Sequence, residues 1–349
     1  MDSFYDNSSD NSPVLCKLTS TGNESLSDTE NLTDCVHAER FHIGQTVNAT
    51  LILLFGATGT VGNTLAVYAF FRALRKPKNY LVANLCLGQL LMCLAYSPVT
   101  AVSNYLHRWV GGYIGCQVAG FLTGMSCMVS ILSITAIARQ RLGVVRAPLH
   151  SLTAFTHSAE LTQLALIWFI SIVSMLPPLF GWNRFVIDSI QFSVTMDYLS
   201  TDISSKAYIV TLLVCGFFFP LVDICYCYSS IFYKVVKLGR SKVIRKSAKN
   251  GVNEISIALA GLLITSLFCI CWLPYMVVVI LGIAEVYIPP ELALAASPLA
   301  KLSTTVNSIL FALSLPAFRR YFFGSKKVYR GSAIAMKTYN KSVKHMGYV

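Results

Sequence analysis

Charge is scarce in this sequence. Asp, Glu, Lys and Arg make up 13% of its 349 residues, where a soluble domain carries roughly a quarter. Apolar residues reach 54% and the mean hydropathy is +0.59. A soluble globular domain is disfavoured, and long apolar runs rather than alternating ten-residue segments point to membrane helices, not a barrel. Acids are scarcer than bases, 16 against 28. The net charge of +12 does not indicate nucleic acid, because the bases fall in short runs between apolar segments, as in cytoplasmic loops. No cysteine spacing fits a metal: Cys225, Cys227, Cys269 and Cys271 lie in apolar segments, where a thiol acts as a small hydrophobe. No apolar core of a cleavable signal peptide precedes the first long run.

Residues 1–44 are polar, with eight acids against Lys17 and Arg40. This composition predicts a disordered tail. Asn7, Asn23 and Asn31 each open a glycosylation sequon, and Asn48 opens a fourth close to the membrane.

Seven apolar segments follow, near 45–71, 80–106, 115–142, 159–181, 204–236, 253–284 and 290–314. The first, third and fifth connections and the C-terminal stretch hold the bases, including Arg72, Arg75, Arg139, Arg146, Lys237, Arg245, Arg319 and Lys326. Seven spans with the N-terminus outside and the C-terminus inside put these on one side. The fold class is an all-α seven-helix membrane bundle, 45–315. A short interfacial helix is expected over 316–325 and a cytoplasmic tail over 326–349. Pro98, Pro177, Pro178, Pro220, Pro274 and Pro298 lie in or at the ends of spans, bending helices and opening room between them.

Lys301 is the sole basic residue between Lys249 and Arg319. At about 1.5 Å per residue it lies near the middle of a ~30 Å hydrocarbon layer. A lysine there is costly to insert and faces a protein interior. A desolvated amine suits condensation with an aldehyde to a Schiff base.

Local motifs name a family. Gly62-Asn63, Asn84-Leu85, Arg141, Trp168, Pro220, Tyr228, Cys271-Trp272-Leu273-Pro274 and Asn307 resemble the marks of a rhodopsin-like G-protein-coupled receptor over about 45–325. Within that superfamily the chain resembles an opsin. Lys301 stands six residues before Asn307, the spacing of the retinal-linking lysine, and Gly181-Trp182-Asn183-Arg184-Phe185 runs on to Gln191 and Asp197-Tyr198 as in the opsin outer loop. The resemblance implies retinal, 11-cis or all-trans, bound as a Schiff base on Lys301. It places Thr123, Gly124, Cys127, Met128, Leu212, Gly216 and Phe217 around it, with Phe268, Trp272, Tyr275, Met276, Ser297 and Ala300. A polyene needs such a dry, aromatic slot, although each residue alone also fits ordinary helix packing.

A protonated Schiff base needs a counterion. The third-span position that carries glutamate in vertebrate visual opsins is Ala119 here. The outer-loop acid of opsins matches Asp188, which becomes the candidate. A bound anion or a water-relayed acid is the alternative, and Glu285 and Glu291 lie near the outer surface.

The signalling motifs agree in part. Arg141 and Glu254 match the ion pair of the inner face, unless both simply face headgroups. The acid before the arginine is Gln140, the second-span aspartate is Gln89, and the last motif reads Asn307-Ser308-Ile309-Leu310-Phe311. The outer-loop cysteine that the family joins to Cys116 is Val194, which leaves Cys116 free or paired with Cys16 or Cys35.

The resemblance implies a light-sensing, non-enzymatic, multi-pass receptor in the plasma membrane or a photoreceptor membrane. Its partners would be a heterotrimeric G protein, with arrestin and a receptor kinase, among membrane lipids. The altered motifs keep open a retinal photoisomerase that signals little. A transporter or channel has no inverted repeat or filter segment to support it.

Overall fold

A computed structural model describes residues 26–147, 156–188, 192–239 and 248–314, with side chains for 42–72, 74–147, 156–188, 192–234 and 261–310. The apolar runs become helices because backbone in hydrocarbon must satisfy its own hydrogen bonds. Helix α1 is Leu26–Ala69, α2 Tyr80–Tyr105, α3 Gly112–Arg146 and α4 His157–Met175. The fifth span consists of α5, Ile203–Leu213, and α6, Phe219–Gly239, joined by a π-helical turn over Val214–Phe218. Helices α7, Ala248–Ile283, and α8, Pro290–Ser314, complete the set. Side-chain caps start two of them: Thr156 accepts the Ala159 N–H at 3.2 Å, and Asp202 accepts that of Ser205 at 2.8 Å.

Among the described residues, six spans are long and apolar enough to cross a membrane by length and composition. The remaining helix, α8, buries Ser297, Lys301, Ser303, Thr304, Asn307 and Ser308, so its inner face is polar. Helix α1 packs on α2 and α8, α2 on α3, α3 on α4 and α6, and α7 on α8, closing a ring. Asn84 links three of these helices: its amide donates to Ser133 on α3 at 2.9 Å, and its carbonyl accepts from Trp168 on α4 at 2.8 Å.

The helix boundaries depart from expectation. Helix α1 begins at Leu26, inside the segment expected to be irregular. Asp28, Glu30 and Asp34 lie toward its N-terminus, where the helix dipole favours acids. Asn31 and Cys35 fall in this helix. Their side chains lie outside the described residues, as do Asn7, Asn23, Cys16, the side chain of Glu254 and the segments 316–325 and 326–349.

The outer loop folds into a hairpin of β1, Phe185–Asp188, and β2, Ser193–Met196, with Phe185 opposite Met196 and Asp188 opposite Ser193. Its base is set by Asn183, whose φ of +68° lies in the left-handed region that asparagine tolerates. That side chain donates to the Asp197 carbonyl at 3.1 Å and accepts from the Asp197 N–H at 3.2 Å and the Arg184 N–H at 2.7 Å.

Candidate functional site

The hairpin lies over a cavity between the helices, and Lys301 sits in its wall, 8% exposed. The Lys301 Nζ lies 4.0 Å from the centroid of the Tyr96 ring and 5.6 Å from that of Trp272. Ring faces attract an ammonium electrostatically, more so away from water. The Tyr96 hydroxyl is hydrogen-bonded to that of Ser297.

Every cofactor-site residue named from the sequence lines this one cavity. Thr123, Gly124, Cys127 and Met128 come from α3, Leu212 from α5, and Gly216 and Phe217 from the π turn. Phe268, Trp272, Tyr275 and Met276 come from α7, Ser297, Ala300 and Lys301 from α8, and Asp188 from β1. The Trp272 ring meets that of Phe268 with centroids 5.7 Å apart and that of Tyr275 at 5.9 Å. Trp272 also donates its indole N–H to Ser303 at 3.2 Å.

Two glycines let the walls close. A Cβ on Gly124 would fall 2.5 Å from the Met175 sulfur, and one on Gly120 would fall 2.5 Å from the Phe185 ring. An apolar, aromatic slot with one amine and one carboxylate in its wall fits a long polyene aldehyde such as retinal.

Asp188 interacts with the phenol of Tyr198, which donates toward its carboxylate. Burial first, and then this carboxylate, push the Tyr198 ionisation upward, so the phenol remains a donor. On α3, Ala119 packs with Cys116, Phe185 and Val194 in an apolar cluster. Cys116 is a free, buried thiol with its sulfur 3.7 Å from the Phe185 carbonyl. Its two candidate partners, Cys16 and Cys35, lie outside the described side chains.

Sequence reasoning missed Tyr96, Phe185, Thr195 and Tyr198, all in the cavity wall. Tyr96 reads as ordinary apolar filling in α2. The other three need the hairpin, whose four-residue strands are too short to show a clear alternation. The available signal was the Asp197-Tyr198 pair of the loop motif. Thr195 and Tyr275 join hairpin to α7 through hydroxyls 2.8 Å apart.

At the far end of the bundle, Arg141 is half-buried and near the buried Tyr228. Its expected partner Glu254 lies outside the described side chains. Gln140 donates to Glu160 on α4 at 3.5 Å, so the missing acid of this motif has a counterpart on another helix. The side-chain amides of Gln89 and Asn307 are buried and, among the described residues, lack a hydrogen-bond partner; such groups commonly bind ordered water. Helix α3 is tied to α6 by Arg139 and Asp223 at 2.6 Å, by Arg146 and Tyr226 at 2.9 Å, and by Lys234 and the Arg146 carbonyl at 2.9 Å.

Comparison with known proteins agrees with this architecture. The 7 transmembrane receptor (rhodopsin family) matches residues 62–314. A Gq-coupled rhodopsin of Mizuhopecten yessoensis is 32% identical over 288 residues, 78% of this chain and 58% of that protein. A melanopsin of Rattus norvegicus is 31% identical over 281 residues, 77% of this chain and 59% of that protein. The chain thus spans somewhat more than half the length of these curated relatives. The crystal structure of squid rhodopsin superposes with a TM-score of 0.74 at 25% identity, covering 81% of this chain and 86% of that one. The chain belongs to the rhodopsin family of seven-transmembrane receptors, as an opsin-type member.

Proposed function

We propose that the protein is a light-sensing receptor that carries retinal covalently on Lys301 and relays its activation to a heterotrimeric G protein. The observation that carries this reading is the buried Lys301 in the wall of an aromatic cavity between the helices. Bound there, retinal supplies light absorption and a change of shape. The protein's own residues supply the rest. Tyr96 and Trp272 face the lysine nitrogen and favour its positive charge. Asp188 is the compensating carboxylate, held by Tyr198. Trp272, between the cavity and Ser303 on α8, couples cavity shape to the α7–α8 contact. The hairpin keeps water out. The N-terminus faces outside, and the α3–α6 ties lie at the G-protein end.

The test is an absorption spectrum of the purified chain after adding 11-cis-retinal. A visible band is expected, and Lys301→Ala abolishes it while the helical circular dichroism stays. An equal band in Lys301→Ala overturns the attachment. The altered Gln140, Gln89 and Phe311 give the photoisomerase reading its specific support. Light-dependent nucleotide exchange on a G protein, set beside chromatography of the bound isomer, separates the two: exchange that follows light supports the receptor, and isomer turnover without exchange supports the photoisomerase.

A further inference from the structure

Two histidines meet at the hairpin end of the bundle, away from the cavity. His42 lies on α1, and His107 lies just past the C-terminus of α2. Their Nδ1 atoms are 3.3 Å apart, and their rings meet edge to face with centroids 4.5 Å apart. We infer that His42 and His107 form a two-histidine site for a divalent transition-metal ion of the zinc type, one that clamps α1 to the end of α2.

The separation carries the argument. Zinc–imidazole bonds of about 2.0–2.1 Å in tetrahedral geometry put two ligating nitrogens roughly 3.3–3.4 Å apart. The observed 3.3 Å is already that edge of the tetrahedron. As a direct hydrogen bond the pair would be long, since N–H donors in proteins usually sit about 2.9–3.0 Å from their acceptor.

The backbone at His107 points the same way. The last turn of α2 closes with the Arg108 N–H bonded to the Ser103 carbonyl at 3.0 Å and the His107 N–H to that of Asn104 at 3.3 Å. His107 is the residue in the left-handed region, with φ of +49°. Glycine or asparagine is usual at such a helix end. Histidine also tolerates this region, and here the turn brings its ring edge to face with that of His42.

Gln45, one turn after His42, is buried, and its carbonyl oxygen lies 2.7 Å from His107 Nδ1. Without metal, the His107 N–H donates to this oxygen. On binding, the His107 proton moves to Nε2 or leaves to solvent, because a ligating nitrogen must be free of it. The Gln45 oxygen, 2.7 Å from His107 Nδ1, stands closer than two ligands of one tetrahedron do, so water completes the shell. No third histidine, cysteine or carboxylate joins the group among the described residues, so the affinity expected is moderate.

The experiment titrates the purified full chain in lipid nanodiscs with zinc chloride against a fluorescent zinc indicator, with thermal unfolding in parallel. The variants are His42→Ala, His107→Asn, which suits the left-handed turn, and the double replacement. The wild type is expected to bind one more zinc ion than the double variant, with micromolar affinity. Each single variant should bind that ion roughly tenfold or more weakly, and zinc should raise the unfolding midpoint only in the wild type. His42→Cys should restore the binding that His42→Ala loses. Equal stoichiometry and affinity in the wild type and the double variant place the metal elsewhere and overturn the site. No zinc uptake by the wild type overturns it as well. Should His107→Asn fail to fold, the His42→Ala and His42→Cys pair decides alone.

Discussion

Aromatic rings hold the charge of Lys301 at close range, and one carboxylate shares its cavity. Tyr96, at 4.0 Å from Nζ, is the nearer ring. A desolvated cation over such a face gains about 2 kcal/mol. Tyr96→Leu removes that contact, and the pigment should then show a weaker visible band than the wild type under the same conditions. Equal bands show that the ring contributes nothing. As the proposed counterion, Asp188 would act through its charge rather than its shape. Asp188→Asn keeps the size and deletes the charge, so the Lys301 nitrogen gives up its proton and the absorption moves from the visible to the ultraviolet. A visible maximum unchanged in Asp188→Asn sinks the counterion assignment. Of these two residues only Asp188 was legible in the sequence, because an acid at a known loop position stands out, whereas a tyrosine inside an apolar helix resembles its neighbours until the chain is folded.

Between elements, the polar contacts of α3 replace contacts that its altered motif no longer supplies. Arg139 is exposed over 58% of its side chain and Asp223 over 16%. The pair lies toward the basic end of α3 and its arginine is largely exposed, so it behaves as a surface ion pair. Arg139→Gln or Asp223→Asn alone should lower thermal stability by up to about 1 kcal/mol, and the double replacement by less than the sum of the two. Purely additive losses in that cycle exclude an interaction. Gln140 and Glu160 add a polar contact between α3 and α4. The spans themselves were legible as apolar runs, which is why seven segments read from the sequence correspond to the observed helices. Their ends were not. Helix α1 starts at Leu26 rather than near 45, and α3 runs from Gly112 to Arg146, because helical hydrogen bonding continues past the hydrocarbon edge into polar sequence. The hairpin was illegible for a different reason: its two strands hold together by pairing with each other and by the side chain of Asn183, contacts that only the fold brings together.

For the molecule as a whole, the cover of the cavity is attached without a covalent bond among the described residues. Cys116 and Gln117 donate to the Phe185 carbonyl at 3.7 and 3.3 Å, Thr195 meets Tyr275, and Arg184 pairs with Asp197 at 2.8 Å. Cys116→Ser should therefore leave pigment yield unchanged and stability within about 1 kcal/mol, and reductant should leave the visible band of the wild type intact. Loss of the band in either experiment shows that a disulfide holds the cover after all. A cover of this kind has its own opening equilibrium, separate from that of the helices. Local opening of a segment costs less than global unfolding when few buried contacts hold it, and here the segment is two four-residue strands. The hairpin then governs how fast water and a free aldehyde reach Lys301 while the seven-helix ring remains folded, and exchange of a ligand held on that lysine takes two events, opening of a small sheet and hydrolysis of the bond beneath it.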